Sequence, residues 1–231
     1  MCSAFLVCEA GINHLGDRTK MLAFCDAAKA CGADAVKFQA YNSWNLVTRR
    51  KITDQNTISL LERAELHSAD LDAIAEHCED IGFKWFASVF DPSQIERVLS
   101  RGACALKIGH KEADWDELVK QCLCSKGCVW VSDLETAFYA EGAVRGVHCI
   151  AEYPATSPPT LREVGEFGTD YLGFSSHYTD YRIPAAAALR GAEYIEAHLK
   201  LSDSDPEAAW SLSVGDFTKM VKLAREYESW L

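Results

Sequence analysis

Two short segments near the C-terminus each close an apolar run with a histidine. They read Gly173-Phe174-Ser175-Ser176-His177 and Tyr194-Ile195-Glu196-Ala197-His198, with the two histidines 21 residues apart. If both runs are strands of one parallel sheet, their C-terminal ends lie side by side and both imidazoles reach the same pocket. Imidazole nitrogens are good ligands for divalent transition metals. The spacing therefore predicts a metal site shared by His177 and His198.

The elements that would position these histidines alternate regularly along the chain. Apolar runs with the length of strands are separated by amphipathic stretches of helical periodicity. The predicted strands span 5–10, 35–39, 84–89, 103–108, 128–132, 146–150, 171–175 and 194–198. The predicted helices span 19–31, 69–81, 92–101, 115–123, 135–143, 161–167, 183–190 and 214–230. Eight strands alternating with eight helices predict an α/β fold, a (β/α)8 TIM barrel, as a single domain over residues 1–231.

Two connections between the predicted strands carry further information. An open doubly wound sheet, the main alternative, usually has a glycine-rich phosphate loop after its first strand. The corresponding turn here reads Glu9-Ala10-Gly11-Ile12-Asn13-His14, which is not such a loop. The connection from 40 to 68 is unusually long, and we expect it to form part of a lid over the site.

Composition and charge exclude several classes of function. A chain of 231 residues with 48% hydrophobic and 25% charged residues is typical of a soluble globular protein. Its formal net charge of -11 argues against nucleic acid or an anionic membrane as a partner. No apolar run approaches the roughly 20 residues of a membrane span, and the N-terminus lacks the pattern of a signal peptide. The ten cysteines then indicate a reducing compartment, so we expect a cytoplasmic protein.

Polar side chains recur at the C-terminal ends of the predicted strands, where TIM barrels carry their chemistry. They are Glu9, Lys37, Gln39, Ser88, Lys107, Ser132, His148, Ser175, His177, Glu196 and His198. Two lysines and three serine hydroxyls suit a substrate that bears a phosphate and a carboxylate. The histidines suit a divalent metal with open positions for substrate and water. Glu9 and Glu196 are candidates for acid–base work or for orienting the metal ligands.

These residues lie in segments that resemble the sialic acid synthase family, the phosphoenolpyruvate-dependent enzymes that make N-acetylneuraminate and related nonulosonates. Six segments carry the resemblance in the same order, at 8–14, 32–39, 106–109, 148–154, 173–177 and 191–198. The resemblance implies a TIM barrel and a transferase that forms a carbon–carbon bond. Its substrates would be phosphoenolpyruvate and a sugar aldehyde such as N-acetylmannosamine, and its cofactor Mn²⁺ or Mg²⁺.

The resemblance also implies roles for individual residues. The family's metal ligands match His177 and His198, and the implied catalytic set is Glu9, Glu196 and His177. The family's contacts to phosphoenolpyruvate match Lys37, Ser88, Lys107, Ser132 and Ser175. Positions near the acceptor sugar match Glu9, Gln39 and Tyr153, and Glu207 lies near the place of a family aspartate. The metal would polarise the aldehyde, and Glu9 is a candidate to handle the proton of the attacking water.

The departures from the family pattern concentrate at the acceptor end. Ala151, Ser176 and His110 stand where the family usually has other residues. The small C-terminal antifreeze-like domain of the family is not expected here. In the family that domain reaches the partner subunit's acceptor, and a homodimer is possible for this chain as well.

Two alternatives to a synthase stay open. One is a catalytically impaired barrel that acts as a binding or scaffold subunit. The other is a different metal-dependent enzyme, such as a sugar isomerase or aldolase. The retained lysines and histidines favour the synthase, because a scaffold has no need to keep buried charge.

Overall fold

A closed barrel of eight parallel strands organises the chain. The computed structural model describes residues 3–125, 127–132, 144–156 and 171–230. The strands are β1 (Phe5–Gly11), β2 (Ala35–Ala40), β3 (Lys84–Val89), β4 (Ala105–Ile108), β5 (Cys128–Val131), β6 (Val144–Cys149), β7 (Gly173–Ser176) and β8 (Tyr194–Lys200). Each strand pairs with the next in sequence order, and β8 pairs back to β1. The predicted TIM barrel is confirmed.

Helices follow most strands and cover the outside of the barrel. In the described ranges they are α1 (Arg18–Ala30), α2 (Ser43–Arg50), α3 (Gln55–Ala64), α4 (Ser68–Asp80), α5 (Ser93–Leu99), α6 (Asp116–Cys124), α7 (Arg182–Leu189) and α8 (Val214–Glu228). Six of them match predicted helices to within a few residues. The predicted helices at 135–143 and 161–167 lie outside the described residues. None of the described helices combines the length and apolarity that crossing a membrane requires.

The long connection between β2 and β3 contains two helices that sequence periodicity does not predict. Both begin at a side-chain cap. Asn42 Oδ1 accepts a hydrogen bond from Asn45 N–H at 3.0 Å, and Asp54 Oδ2 accepts one from Thr57 N–H at 2.8 Å. Short helices of this kind lack a long amphipathic repeat, so caps rather than periodicity mark them. The connection is therefore ordered as a helix pair beside the barrel.

Alternation along the strands divides the barrel interior into two layers. The lower layer is buried and apolar, and we call it the floor. It consists of Val7, Ala35, Phe86, Ala105, Trp130, Val147 and Tyr194. Two residues further along the strands the side chains become polar, and we call this second set the polar layer. It consists of Glu9, Lys37, Ser88, Lys107, Ser132, Cys149, Ser175 and Glu196.

The opposite faces of the strands pack against the helices in a separate outer core. Leu6 and Phe38 belong to it from the strands, and Phe24 and Phe217 from α1 and α8. All four are fully buried. Burial of a side chain of this size stabilises the fold by roughly 1.5–3 kcal/mol. The outer core and the floor together hold the strand ends in fixed positions for the polar layer above.

Candidate active site

A cavity of about 360 Å³ opens at the C-terminal ends of the strands, directly above the polar layer. Twelve of its lining residues are those predicted from the sequence as site residues. They are Glu9, Lys37, Gln39, Ser88, Lys107, Ser132, Tyr153, Ser175, His177, Glu196, His198 and Glu207. The strands that carry most of them are far apart in sequence, and only closure of the barrel brings them together.

Four charged side chains lie buried at the bottom of this cavity. Lys37 Nζ contacts Glu9 Oε2 and lies 3.4 Å from Glu196 Oε2. Lys107 Nζ lies 3.5 Å from the same oxygen of Glu196. Each of the four residues is at most 3% exposed. Charge this deep is tolerated because the lysines and glutamates neutralise each other, and it still costs free energy of folding.

Burial and pairing shift the pKa values of these four groups in different directions. Burial raises the pKa of Glu9, although Lys37 opposes the shift. In Glu196, burial is outweighed by Lys107 and Lys37, so the pKa of this carboxyl is lowered. Burial lowers the pKa of Lys107, while in Lys37 the two glutamates outweigh burial and the pKa is raised. The cavity thus holds one carboxyl that is easier to protonate and one that stays ionised.

Three serines add hydroxyl groups around the lysines. Ser88 Oγ accepts a hydrogen bond from Lys37 Nζ at 2.7 Å. Ser175 Oγ donates one to Glu196 Oε1 at 2.9 Å. Ser132 is also buried and lines the same cavity. Two ammonium groups and three hydroxyls so placed can bind the two anionic groups of a small substrate.

The two predicted metal-binding histidines lie beside each other at the ends of β7 and β8. Their ring centroids are 5.3 Å apart. His177 Nδ1 lies 3.0 Å from the backbone oxygen of Ile150, and His198 Nδ1 lies 3.2 Å from Glu207 Oε2. An Nδ1–H that donates to an oxygen leaves Nε2 as the acceptor nitrogen. Histidines that bind metals in proteins are usually oriented by such a hydrogen bond from the second nitrogen.

The environments of the two imidazoles differ. Burial, and next the neighbouring His198, lowers the pKa of His177 to about 3, so this ring is neutral at pH 7. In His198, burial is outweighed by the Glu207 carboxylate and the pKa is raised. Only the neutral imidazole binds a metal, so affinity at this pair is expected to increase with pH.

The histidine pair fits a divalent metal whose remaining ligands are substrate and water. Both rings are buried, held by hydrogen bonds through Nδ1, and line the cavity. Over the described ranges, no three His, Cys, Asp or Glu side chains converge as a complete ligand set. Two protein ligands leave most coordination positions open, which is what a Lewis-acid role at a substrate oxygen requires.

The turn after β1 seats Glu207 against His198. Glu207 N–H donates to Asn13 Oδ1 at 2.8 Å, and Glu207 Oε2 accepts from Ile12 N–H at 3.2 Å. Gly11 makes room for the carboxylate, because a Cβ there would lie 1.6 Å from Glu207 Oε2. Its φ of +55° also favours glycine. The turn after β1 therefore holds the Glu207 carboxylate next to the His198 ring.

Aromatic and amide groups line the side of the cavity next to the histidines. The Tyr153 ring lies 4.2 Å from His177 and 5.8 Å from Trp210, measured between centroids. Tyr153 is also 46% exposed, so one part of the ring faces solvent. Gln39 Nε2 donates to Glu9 Oε1 at 3.2 Å. Aromatic faces beside hydrogen-bonding groups suit a sugar-like ligand.

Comparison with known proteins identifies the family of the chain. The NeuB family profile matches residues 24–231. The chain belongs to the NeuB family. The N,N'-diacetyllegionaminic acid synthase of Legionella pneumophila subsp. pneumophila is 26% identical, with 98% of this chain and 73% of the relative covered. The spore coat polysaccharide biosynthesis protein SpsE of Bacillus subtilis is 27% identical, with 97% and 68% covered.

A solved structure supports the same placement at the level of the fold. The N-acetylneuraminic acid (sialic acid) synthetase from Leptospira borgpetersenii superposes with a TM-score of 0.87 at 23% identity. The match covers 99% of this chain and 85% of the other. The predicted resemblance to the sialic acid synthase family is confirmed. The NeuB relatives with named activities are synthases, which supports the predicted enzyme class, a carbon–carbon bond-forming transferase.

One of the residues predicted to face the site, His148, does not do so in this barrel. The His148 ring packs near the rings of Tyr171 and Phe174, at centroid distances of 5.0 and 6.0 Å, and does not line the cavity. Cys149 lines it instead. Val147 belongs to the floor, so alternation turns His148 outward and Cys149 inward. The prediction located the strand but assigned its inward face wrongly.

Arg50 and Glu112 line the cavity as an ion pair that the sequence does not predict. Arg50 ends α2, and Glu112 lies in the short 3-10 helix His110–Glu112 after β4. Arg50 Nε and Nη2 donate to Glu112 Oε1 at 2.9 and 2.5 Å. Burial raises the pKa of Glu112, and Arg50 opposes that shift. Because 62 residues separate the partners, no local pattern marks the pair.

The three departures from the family pattern separate into two groups. Ala151 and His110 line the cavity, so they can affect a ligand directly. Ser176 is buried outside the set of lining residues, where its Oγ accepts a hydrogen bond from Tyr178 N–H at 3.4 Å. Two of these three positions therefore lie where they could contact a ligand of the cavity.

Proposed function

We propose that this chain condenses phosphoenolpyruvate with the open-chain aldehyde of an N-acylated sugar. The products are a 2-keto-3-deoxy sugar acid, of the sialic acid or a related nonulosonate type, and inorganic phosphate. The observation that carries the proposal is the buried set of two lysines and three serines beside the histidine pair. The Legionella relative is an N,N'-diacetyllegionaminic acid synthase, and this activity supports the same reaction class.

The polar layer is suited to the anionic substrate. The groups that would bind the phosphate and the carboxylate of phosphoenolpyruvate are Lys37, Lys107, Ser88, Ser132 and Ser175. All five are buried, and Lys37, Ser88 and Ser175 already form hydrogen bonds, so the set needs little reorganisation when charge develops during the reaction. Their attraction is strong because the floor beneath them excludes water.

The reaction would form two bonds, one between carbons and one from water to C2, and would cleave the C2–O bond to phosphate. C3 of phosphoenolpyruvate attacks the aldehyde carbon, and positive charge develops at C2. Water adds at C2, and the tetrahedral intermediate loses phosphate by cleavage of the C2–O bond. Glu9 takes a proton from this water, since burial raises the pKa of this carboxyl and so makes the carboxylate a stronger base. Glu196 stays ionised between the lysines and stabilises the positive charge at C2.

The histidine end would orient the acceptor. His177 and His198 would hold a divalent metal, Mn²⁺ or Mg²⁺, which when bound supplies Lewis-acid polarisation of the aldehyde oxygen. Glu207 fixes the His198 ring and lines the acceptor side of the cavity. Tyr153 and Gln39 would contact the sugar from the same side.

The buried charges also separate this proposal from its alternatives. A scaffold subunit gains nothing from two buried lysines, which cost folding free energy. An isomerase has no use for groups that bind a phosphate and a carboxylate together. The composition of the polar layer is therefore unexplained if the chain is a scaffold or an isomerase.

The test is release of phosphate from phosphoenolpyruvate in the presence of Mn²⁺, across a panel of aldoses and N-acyl hexosamines. Release should require both the aldehyde and the metal. His177→Ala and His198→Ala should each reduce it by roughly a hundredfold or more. His148→Ala, a histidine of the same barrel outside the cavity, is the matched control and should keep full activity. Bound phosphoenolpyruvate with no release for any acceptor would favour the scaffold.

A further inference from the structure

We infer that Tyr194 is a positioning residue for phosphoenolpyruvate, because its hydroxyl holds the Glu196 carboxylate that both lysines contact. The inference rests on the proposed function and adds a residue from the floor to it. Tyr194 and Glu196 are two positions apart on β8 and face the barrel interior together. The Tyr194 hydroxyl donates to Glu196 Oε2. A side chain of the apolar floor thus reaches into the polar layer.

Packing leaves the Tyr194 ring no freedom to move. Its centroid lies 4.5 Å from that of Trp130. Lys107 Nζ lies 5.7 Å from the same ring. On the β7 side, a Cβ added at Gly173 would come within 2.7 Å of Tyr194 Cβ. Contacts from three strands therefore fix where the hydroxyl points.

Burial makes the hydrogen bond to Glu196 necessary. Tyr194 is 0% exposed, so water cannot replace the bond. A buried hydroxyl without a partner costs roughly 1–3 kcal/mol in proteins. The Glu196 carboxylate is equally enclosed, and a hydrogen bond to a charged group is among the stronger ones. The pair is thus held together from both sides.

Among the described residues, Glu196 is the carboxylate that lies within ion-pair distance of both lysines. Its Oε1 accepts from Ser175, and its Oε2 lies 3.4 Å from Lys37 Nζ and 3.5 Å from Lys107 Nζ. The Tyr194 hydroxyl donates to the same Oε2 that the two ammonium groups contact. Part of the negative charge of this oxygen therefore interacts with the hydroxyl, and its attraction for the lysines is weaker. Without it, Oε2 would interact with the lysines alone. The carboxylate would then compete more strongly with the phosphate and carboxylate of the substrate.

Tyr194→Phe tests this, because phenylalanine fills the same space and lacks only the hydroxyl. Calorimetric titration with phosphoenolpyruvate alone should give a Kd raised roughly tenfold. In steady state the KM for phosphoenolpyruvate should rise by a similar factor, with the KM of the acceptor changed less than twofold. Phe86→Leu is the control: it perturbs the floor where no hydroxyl reaches Glu196. It should lower the melting temperature and leave the Kd within twofold.

The outcomes separate the inference from the proposed function. An unchanged Kd in folded Tyr194→Phe overturns the inference, and so does an equal loss of affinity in Phe86→Leu, which would show a general packing effect. A wild-type chain that binds phosphoenolpyruvate yet releases no phosphate defeats the proposed reaction, while the comparison of Kd values still decides the role of Tyr194. If the wild type does not bind phosphoenolpyruvate, both are wrong.

Discussion

The floor and the polar layer share the same strands, yet they contribute to the molecule in opposite ways. On β2 the floor residue Ala35 is followed two positions later by Lys37, and on β8 Tyr194 is followed by Glu196. Floor side chains stabilise the fold because their burial removes apolar surface from water. Polar-layer charges cost free energy because they give up hydration. Two positions along a strand therefore separate side chains that stabilise the fold from side chains that serve the chemistry of the site.

The difference shows how a costly site can persist in a stable barrel. The lysines and glutamates are buried on a base that admits no water, so their charges act at a low effective dielectric. Burial of apolar side chains in the outer core and the floor offsets the folding free energy that the buried charges of the polar layer cost. If this division is right, loss of a polar-layer charge should abolish activity, whereas loss of a floor side chain should lower stability and leave most of the activity.

The largest expected effect is in the polar layer, at Lys107. Lys107→Met should reduce kcat/KM for phosphoenolpyruvate by roughly a thousandfold, since one preorganised charge contact to the reacting group is lost. Its free energy of unfolding should also fall, by up to about 3–5 kcal/mol, because loss of one partner leaves the buried Glu196 charge less compensated. Phosphate release and urea denaturation measure the two quantities.

The control for this variant is Lys84→Met. Lys84 is an exposed lysine at the opposite end of a barrel strand, with its Nζ 5.5 Å from the Phe5 ring. It should keep kcat/KM within twofold. Equal losses of activity in both variants would show that lysines in general, and not the polar layer, matter for the reaction.

The matching floor variant is Phe86→Ala, which should lose stability and yet keep most of its activity. Removal of this fully buried ring should lower the free energy of unfolding by about 3–5 kcal/mol, through lost burial and a residual cavity. Well below its melting temperature, its kcat/KM should fall less than tenfold. A collapse of activity without loss of stability would contradict the division between the layers. Calorimetry and phosphate release on the same preparation decide.

Gly173→Ala should affect both layers at once. The added Cβ would lie 2.7 Å from Tyr194 Cβ and 2.8 Å from Tyr194 O, so β7 and β8 must move apart. Such overpacking costs about 1–3 kcal/mol. Because β7 leads into Ser175 and His177, activity should fall along with stability. Gly215→Ala, where the nearest atom to the new Cβ lies 3.9 Å away, should lose neither.

A smaller effect is expected at His14, a buried residue in the turn after β1, in the dependence of stability on pH. Burial lowers the pKa of His14 to about 4, and its Nε2 is buried without a partner. Unfolded histidine titrates near 6.5. Between these values the unfolded chain binds a proton that the folded chain does not. The contribution of His14 is therefore complete above about pH 6.5 and is lost as the pH falls towards 4.

His14→Gln removes this titration. The difference in free energy of unfolding between pH 7 and pH 5 should shrink by roughly 1–2 kcal/mol in the variant, as measured by urea denaturation. An identical pH dependence in both proteins would show that His14 already gains its proton in the folded state.

The strands and their inward residues were predictable because alternation and apolar runs are local. Lys37 and Lys107 stand out within apolar strands, and a closed barrel forces such positions to converge. The prediction that His148 faces the cavity is wrong because inward and outward side chains alternate from Val147, which places Cys149 on the inward face. The ion pair of Arg50 and Glu112 joins distant segments and leaves no local pattern, so the sequence does not predict it. The role of Tyr194 is not predictable for another reason. In an apolar run its ring is typical of a core residue, and only the structure shows that its hydroxyl donates to Glu196.

The bridging oxygen of phosphoenolpyruvate offers the most direct test of the proposed reaction. The substrate would carry a heavy oxygen isotope between C2 and phosphorus, and the products would be analysed by mass spectrometry after reaction with an acceptor aldehyde. If the polar layer supports condensation with cleavage of the C2–O bond, the label appears in phosphate, and only when the aldehyde is present. Label retained in the keto acid, or phosphate released without any aldehyde, would contradict the proposed reaction.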